Sequence, residues 1–249
     1  MTKTAFCLLS RTLNINAIHF LEDLQKNSNI DVYMICDDNN IDIPDTSITI
    51  IRYRNDVLER AGYINCTEIT THIPILAWDK ALYHYCEIDT SYDYIFLVED
   101  DVFIPSIQSI IDIDNKYTED LLCQVNNGFL EVDGGDIQKW LWKHIYGILP
   151  LPWYASMVCA VRVSNKLLQE VRKVIHNLDT IPFIETLFNT IATQSNLSIC
   201  VIPEFKEIRF NTSDVDYTNH IEYLKTGNWL HPIKKVDSHP RIRELLKTV

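Results

Sequence analysis

Glycine is scarce, with six in 249 residues, and none occurs in SRTLNINAI, the segment Ser10–Ile18 that follows the first apolar run. The glycine-rich, basic phosphate loop that a nucleotidyltransferase needs after its first strand is therefore missing. Basic charge is short as well. Lys and Arg number 22 against 34 Asp and Glu, a formal net charge of −12. That balance argues against a nucleic-acid partner, because phosphate binding needs a broad basic footprint. No apolar run approaches the roughly 20 residues that span a bilayer, so no transmembrane segment is expected. The opening MTKTAFCLLSRT lacks the basic flank and long apolar core of a signal peptide. No cysteines are spaced as CxxC, and their number, seven, is odd. Cys7, Cys36, Cys159 and Cys200 sit inside apolar runs, where free thiols behave as small hydrophobes. A reducing, cytoplasmic compartment is the expectation. Asn65-Cys66-Thr67, Asn196-Leu197-Ser198 and Asn211-Thr212-Ser213 match the glycosylation triplet, but such short matches arise by chance.

What is present is an ordinary globular composition, 47% hydrophobic and 22% charged, enough for a sizeable core. The first half alternates strands and helices. Thr4–Ser10, Ile30–Cys36, Ser47–Arg52 and Tyr94–Val98 read as strands. A helix capped by Asn16 follows the first strand, and another, opened by Pro74, runs from Ile75 to about Glu87. This alternation predicts an α/β fold with a mainly parallel sheet covered on both faces. In the second half, Leu121–Val125, Gly128–Val132, Tyr154–Val163 and Ser198–Ile202 read as strands. Helices are expected over Asp136–Tyr146, Asn165–His176 and from Pro182 to about Ala192, before a basic tail from Gly227. No repeat or linker divides residues 1–249, which read as one domain with two lobes.

The segment YIFLVEDDVFIP carries the sharpest signal: an apolar strand ends on Glu99, Asp100 and Asp101. Adjacent carboxylates repel, and burying one unpaired is costly. Ligands of open parallel sheets bind beyond the carboxyl ends of the strands. Arg11, Asp37-Asp38 and the acidic triplet would therefore meet at one edge. Strand alternation puts Glu99 and Asp101 on one side and Asp100 on the other. Two carboxylates so placed can bracket Mg²⁺ or Mn²⁺, which completes its shell with phosphate oxygens, or one can hold the metal and the other a sugar hydroxyl; the plainer alternative is a solvated acidic turn after a strand. Such a cation would also let an acidic protein hold an anionic diphosphate.

With these parts in order (TAFCLLSR, DVYMICDD, IPILAWDKAL, YIFLVEDDVFI with its DxD-like triplet, WYASMVCAV, FIETLF and WLHPIKK) the chain resembles the nucleotide-sugar-dependent glycosyltransferases of the GT-A fold. The resemblance covers nearly the whole chain, and Glu99 at the first acidic position departs from the strict motif. It implies a Rossmann-like sheet with a smaller acceptor-side lobe, residues 1–105 binding the nucleotide sugar and residues 106–249 the acceptor. It implies that Ser10, Arg11 and Thr12 floor the nucleobase and that Asp37 or Asp38 reads the base or ribose. Lys80 is similar to the basic residue near the nucleotide. Asp101 becomes the metal ligand, with Glu99 or Asp100 towards the ribose and donor sugar, and Glu99 a further candidate ligand. His231 resembles another metal or diphosphate contact, with Lys234 beside it in an anion site. The donor would be a UDP- or GDP-type sugar, the cofactor Mn²⁺ or Mg²⁺, and the acceptor a glycan or glycoconjugate.

On the acceptor side, Trp153 and Tyr154, beside Pro150 and Pro152, suit a pocket wall for a sugar ring, whereas Trp140 and Trp142 read as core. The loop Asp133-Gly134-Gly135-Asp136 can approach a ligand closely. Glu185, early in its helix, is the candidate general base, which would imply inversion at the sugar carbon. Its alternative role is to complement the helix N-terminus. The rival functions are a nucleotidyltransferase acting on sugar phosphates and a non-catalytic nucleotide- or glycan-binding module.

Overall fold

The apolar runs become strands of one central sheet in the computed structural model, which describes residues 2–38, 40, 42–67, 75–129, 135–137 and 140–248. In chain order the first half gives β1 (Thr4–Ser10), α1 (Ile15–Asn27), β2 (Asp31–Cys36), β3 (Thr49–Ile51), α2 (Asn55–Arg60), α3 (Ala77–Tyr83) and β4 (Tyr94–Glu99). Then come α4 (Ile107–Lys116), β5 (Leu121–Cys123), β6 (Asn127–Gly128), α5 (Trp140–Lys143), β7 (Tyr154–Ala155) and β8 (Ala160–Ser164). The chain ends with α6 (Asn165–Leu178), α7 (Ile184–Gln194), β9 (Ile199–Val201), β10 (Glu207–Ile208), α8 (Ile221–Lys225), β11 (Leu230–His231) and α9 (His239–Thr248).

The central sheet is ordered β3-β2-β1-β4-β8-β5-β9. From β3 to β4 all neighbours are parallel, and β9 is parallel to β5. Strand β8 alone runs against both its neighbours. The architecture is thus α/β with a mainly parallel sheet, as the sequence leads one to expect. Residues beyond 105 supply β8, β5 and β9 to this same sheet.

Alternation along the strands divides the core. Ala5, Cys7, Leu9, Ile95 and Leu97 face a layer containing α3, α6 and α7. Phe6, Leu8, Phe96 and Val98 face α1 and α4. Because both faces are covered, these strands read as continuous apolar runs and not as alternating ones. From β1 the chain moves outward to β2 and β3, then returns to β4 on the other side of β1. That reversal opens a crevice at the carboxyl ends of β1 and β4, where side chains from several strands can reach one ligand.

Several local expectations are corrected. The cap of α1 is Asn14, whose Oδ1 accepts from the amides of Asn16 (2.9 Å) and Ala17 (3.3 Å); Asn16 is already inside the helix. The run Tyr154–Val163 is two strands in different sheets: β7 pairs with β6 in a small sheet of their own, β8 joins the central one, and residues 156–159 connect them. The helix expected over Ile75–Glu87 is α-helical only to Tyr83 and continues as a π turn, His84–Ile88. Helices α2 and α4 were not expected, β5 stops at Cys123 and α5 at Lys143, short of the expected Val125 and Tyr146, and residues 130–132 of the expected strand Gly128–Val132 lie outside the described residues. Pro74, Asp133 and Gly134 lie outside the described residues. Among those described, no helix is long and apolar enough to cross a membrane.

Candidate active site

Backbone hydrogen bonds lock three strand ends together. Asp37 N–H donates to Ser10 O (2.9 Å), Asp100 N–H to Leu9 O (3.0 Å) and Glu99 N–H to Cys159 O (2.8 Å). A cleft of about 370 Å³ opens above this junction, lined by Ser10, Arg11, Asp37, Trp78, the acidic triplet and Lys234. It adjoins a second cavity, of about 550 Å³, which Thr12, Asp100, Lys234 and Lys235 line. Most of the residues expected at a donor site are therefore brought together here.

Each carboxylate of the triplet has a different environment. Glu99 Oε1 accepts from the indole N–H of Trp78 at 2.7 Å. Burial pushes its carboxyl up, against the pull of that indole. Asp100 is hydrogen-bonded to Ser10 Oγ, and burial raises it too. Asp101 Oδ1 is buried and has no aligned hydrogen-bond donor. Only Glu99 ends the strand; Asp100 and Asp101 occupy the turn after it, so simple strand alternation does not set their directions.

Facing Asp101 is His231. The tail returns across the turn: Phe103 N–H donates to Leu230 O (2.8 Å), and Ile233 N–H to Asp101 O (2.8 Å). This carries His231 into the interior, 6% exposed, although its late, polar segment suggests a surface loop. Its Nδ1 lies 2.7 Å from Arg209 O, and a carbonyl only accepts, so Nδ1 carries the proton. Its Nε2 stands 3.3 Å from Asp101 Oδ1. In the neutral ring, two acceptors confront each other across that gap. A proton resolves the conflict, and the imidazole is indeed raised: burial opposes the charge, but the Asp101 carboxylate outweighs it. A cation resolves it equally well. Donor atoms of Glu99, Cys159 and His231 also lie within 4.8 Å of one another. Burial and the neighbouring carboxylates push the Cys159 thiol far up, so it is a poor candidate for a thiolate ligand. The carboxylate oxygens and the imidazole nitrogen fit Mg²⁺ or Mn²⁺.

Lys80 is placed differently from expectation. It is fully buried, and Nζ donates to Cys36 O (3.1 Å) and Asp37 O (2.7 Å), beneath the end of β2 and not in the cleft lining. Helix α3 is enclosed on nearly every side, which leaves Lys80 no route to solvent. Above it, Asp37 Oδ1 is buried without a partner, and burial raises that carboxyl. Asp38 is exposed and accepts from Asn40 N–H (2.8 Å) in a local turn outside the cleft lining.

No protein-family model and no curated protein matches the chain. Solved structures do match its coordinates. A complex of the galactosyltransferase LgtC with donor and acceptor sugar analogues is 12% identical, with 99% of this chain and 96% of that one covered at a TM-score of 0.48. Mouse xyloside xylosyltransferase 1 is 9% identical, with 94% and 98% covered at a TM-score of 0.45. These are likenesses at low identity, and the chemistry of the cleft has to carry any reading of function.

Beyond the triplet, Glu185 sits in the first turn of α7 and lines a smaller pocket of about 230 Å³. Its Oε2 is buried without a partner, and burial, then the nearby Glu99 charge, pushes the carboxyl up to about 8. Trp153, expected as a pocket wall, is core: 5% exposed, packed against Phe129 and Trp142, with its indole donating to Leu149 O (2.9 Å). Tyr154 is half-buried, and its ring lies so close over Gly128 that an added Cβ would come within 3.2 Å. Neither lines the pocket of Glu185. Cys159 was read in the sequence only as a buried thiol, and Met157, Arg209 and Phe210 were not singled out. Only the β4–β8 register, with Val98 opposite Ala160, sets residue 159 near Glu99.

Proposed function

We propose that the protein is a glycosyltransferase, moving a sugar from a nucleotide-diphosphate sugar of UDP or GDP type to a hydroxyl of a glycan or glycoconjugate. The observation that carries this reading is the confrontation of Asp101 Oδ1 with His231 Nε2 at 3.3 Å, where Asp101 lines the cleft at the reversal point of the sheet and buried His231 backs it. Such a pair of acceptors suits a divalent cation, and a cation beside Arg11 and Lys234 suits an anionic diphosphate. Asp101 and His231, with Glu99 beside them, would hold Mn²⁺ or Mg²⁺. When bound, the ion supplies Lewis-acid stabilisation of the departing diphosphate.

The chain's own residues do the rest. The ends of β1 and β2 floor the nucleoside, with the unpartnered Asp37 oxygen available to a base or ribose donor. Arg11 and Lys234 take the phosphate charge. Glu185 receives the acceptor's hydroxyl proton as the new glycosidic bond forms and the bond to diphosphate breaks on the opposite face, which inverts the sugar carbon. Burial pushes that carboxyl up to about 8, which makes it, once ionised, a stronger base than an ordinary carboxylate.

Calorimetry with UDP- and GDP-linked sugars, with Mn²⁺ and in excess EDTA, tests this. Tight binding only with the metal is the expected result. Equal affinity in EDTA removes the metal, and binding of no nucleotide sugar overturns the reading.

A further inference from the structure

A groove of about 600 Å³ runs between α1 and α9, away from the acidic triplet. Asn16, His19, Phe20 and Asp23 form one wall, at the spacing of a single face of α1. Arg241, Arg243 and Lys247 of α9 form the other. The groove shares no lining residue with the cleft of the triplet. In a chain of net charge −12, it carries three cations against two carboxylates, Asp23 and Glu244. Glu244 is already engaged, because Lys247 Nζ donates to it at 2.7 Å. That pair cancels, which leaves Arg241 and Arg243 against Asp23 alone.

Arg243 is the unusual member. Phe20 and Phe103 hold its guanidinium, with Cζ 3.9 Å and 5.5 Å from their ring centroids. Its Nε–H donates to Ile104 O at 2.9 Å, the one hydrogen bond of this side chain among the described residues. No described carboxylate pairs with it, and Asp23 favours its charge only through space. Burial pushes the guanidinium down to about 10 from the ordinary 12.5, the mark of a charge without a close counterion. A guanidinium carries five N–H donors, so the two terminal NH₂ groups are left without a protein acceptor. A fork anchored in this way is preorganised for two oxygens of one oxyanion.

We infer that this groove binds a phosphate monoester, its oxygens on the Arg243 fork and on Arg241, joining α9 to α1. Phosphate suits the lining better than a carboxylate does. Its charge of nearly two answers both arginines, and its further oxygens can accept from the His19 imidazole and the Asn16 and Asn27 amides on the α1 wall. Asn14 and Asn16 already donate to Asp237 Oδ1 (2.9 and 3.0 Å), in the tail that carries His231 and Lys234. A ligand that joins the two helices therefore braces that tail. Because groove and cleft are separate, the site stands whether or not the chain transfers sugar.

Calorimetry on the full chain in metal-free buffer tests this, with inorganic phosphate, glycerol 3-phosphate, and phosphatidylcholine vesicles with and without phosphatidic acid. Hydrogen exchange locates each ligand. Expected is saturable binding of glycerol 3-phosphate that protects residues 15–27 and 239–248. Arg243→Lys, which keeps the charge and loses the fork, should weaken it roughly ten- to hundredfold. Asp23→Asn, at an exposed position, should tighten it up to about fivefold by removing the opposing charge. If circular dichroism shows that Arg243→Lys does not fold, the opposite response of Asp23→Asn still decides. Vesicle binding that needs both phosphatidic acid and Arg243, with glycerol 3-phosphate silent, upholds the phosphate site and makes a lipid headgroup its source. An affinity unmoved by either substitution overturns the site. So does protection confined to the strand ends around Ser10, Asp37 and Glu99, or the absence of saturable binding of any phosphate.

Discussion

Replacing Asp101 by Asn isolates the charge at the centre of the cleft. The amide keeps the volume of the carboxylate, so packing is preserved. Its N–H can donate to His231 Nε2, which now stands 3.3 Å from Asp101 Oδ1, so the metal-free fold should lose little. The variant removes one ligand charge from the cation, and a net loss of about 2.7 kcal/mol is a hundredfold fall in cation affinity. Thermal unfolding with Mn²⁺ reads the difference. At a concentration one hundred times the native Kd, the ion stabilises the native protein by about 2.7 kcal/mol. For a chain of this size that is roughly 5–10 °C in Tm. In Asp101→Asn the same concentration equals the new Kd and gives only about 0.4 kcal/mol, little more than 1 °C. Transfer should fall in parallel. A variant whose Mn²⁺ shift matches the native one, or whose turnover is near normal, would refute the reasoning and return the triplet to an acidic turn.

Three further outcomes are expected. Glu185→Gln should leave nucleotide-sugar affinity unchanged by calorimetry and slow transfer by roughly 10²–10⁴-fold; a loss under about tenfold removes Glu185 as base. Lys80→Met strands the carbonyls of Cys36 and Asp37, and leaving a buried acceptor unsatisfied costs about 1–3 kcal/mol. Urea unfolding should show that loss, and donor affinity should fall with it; full stability would mean Lys80 holds nothing in place. Buried His239 donates from Nε2 to Ile233 O (2.9 Å), and burial depresses its imidazole to about 4 from the ordinary 6.5. Between those values the unfolded chain binds the proton and the folded chain does not. Its contribution is therefore intact above about 6.5 and shrinks by about 2 kcal/mol by pH 5. Urea titrations at pH 7 and pH 5 should show this slope in the native protein, and an equal slope in His239→Gln would contradict it.

The fold was legible because burial on both faces leaves a mark in sequence. Ala5–Leu9 and Ile95–Val98 are apolar throughout, and the runs they centre, Thr4–Ser10 and Tyr94–Val98, each became a central strand, the second one residue longer. The strand ends could then be paired by topology alone, which is why Arg11, Asp37 and the triplet were expected together. The second half was harder. Tyr154–Val163 is as apolar as a single strand, yet it breaks at 156–159, where buried polar contacts and not hydropathy decide the path; Ser156 N–H donates to Glu185 O (2.9 Å). Trp153 looked like a binding surface because prolines flank it, but an indole with a backbone partner is content in the core. His231 was expected as a metal or diphosphate contact, but its burial could not be read, because the returning strand that buries it, β11, is two residues long and has no periodicity to detect. The pocket of Phe210 and Met157 is assembled from separate segments spread over residues 124–210, and no spacing rule joins them.

The reversal of β8 decides which parts of the site sit on loops. In a wholly parallel sheet, the loops entering strands lie at the edge opposite the ligand. Because β8 runs backwards, its entry loop, residues 156–159, opens at the same edge as the exits of β1 and β4. Ser156 and Met157 from that loop line the smaller pocket, whereas the cleft of the acidic triplet draws mainly on the exits of the parallel strands. Loops tolerate insertion and substitution far better than strands do. One turned strand thus lets the lining of the smaller pocket vary without disturbing the strand ends that line the cleft.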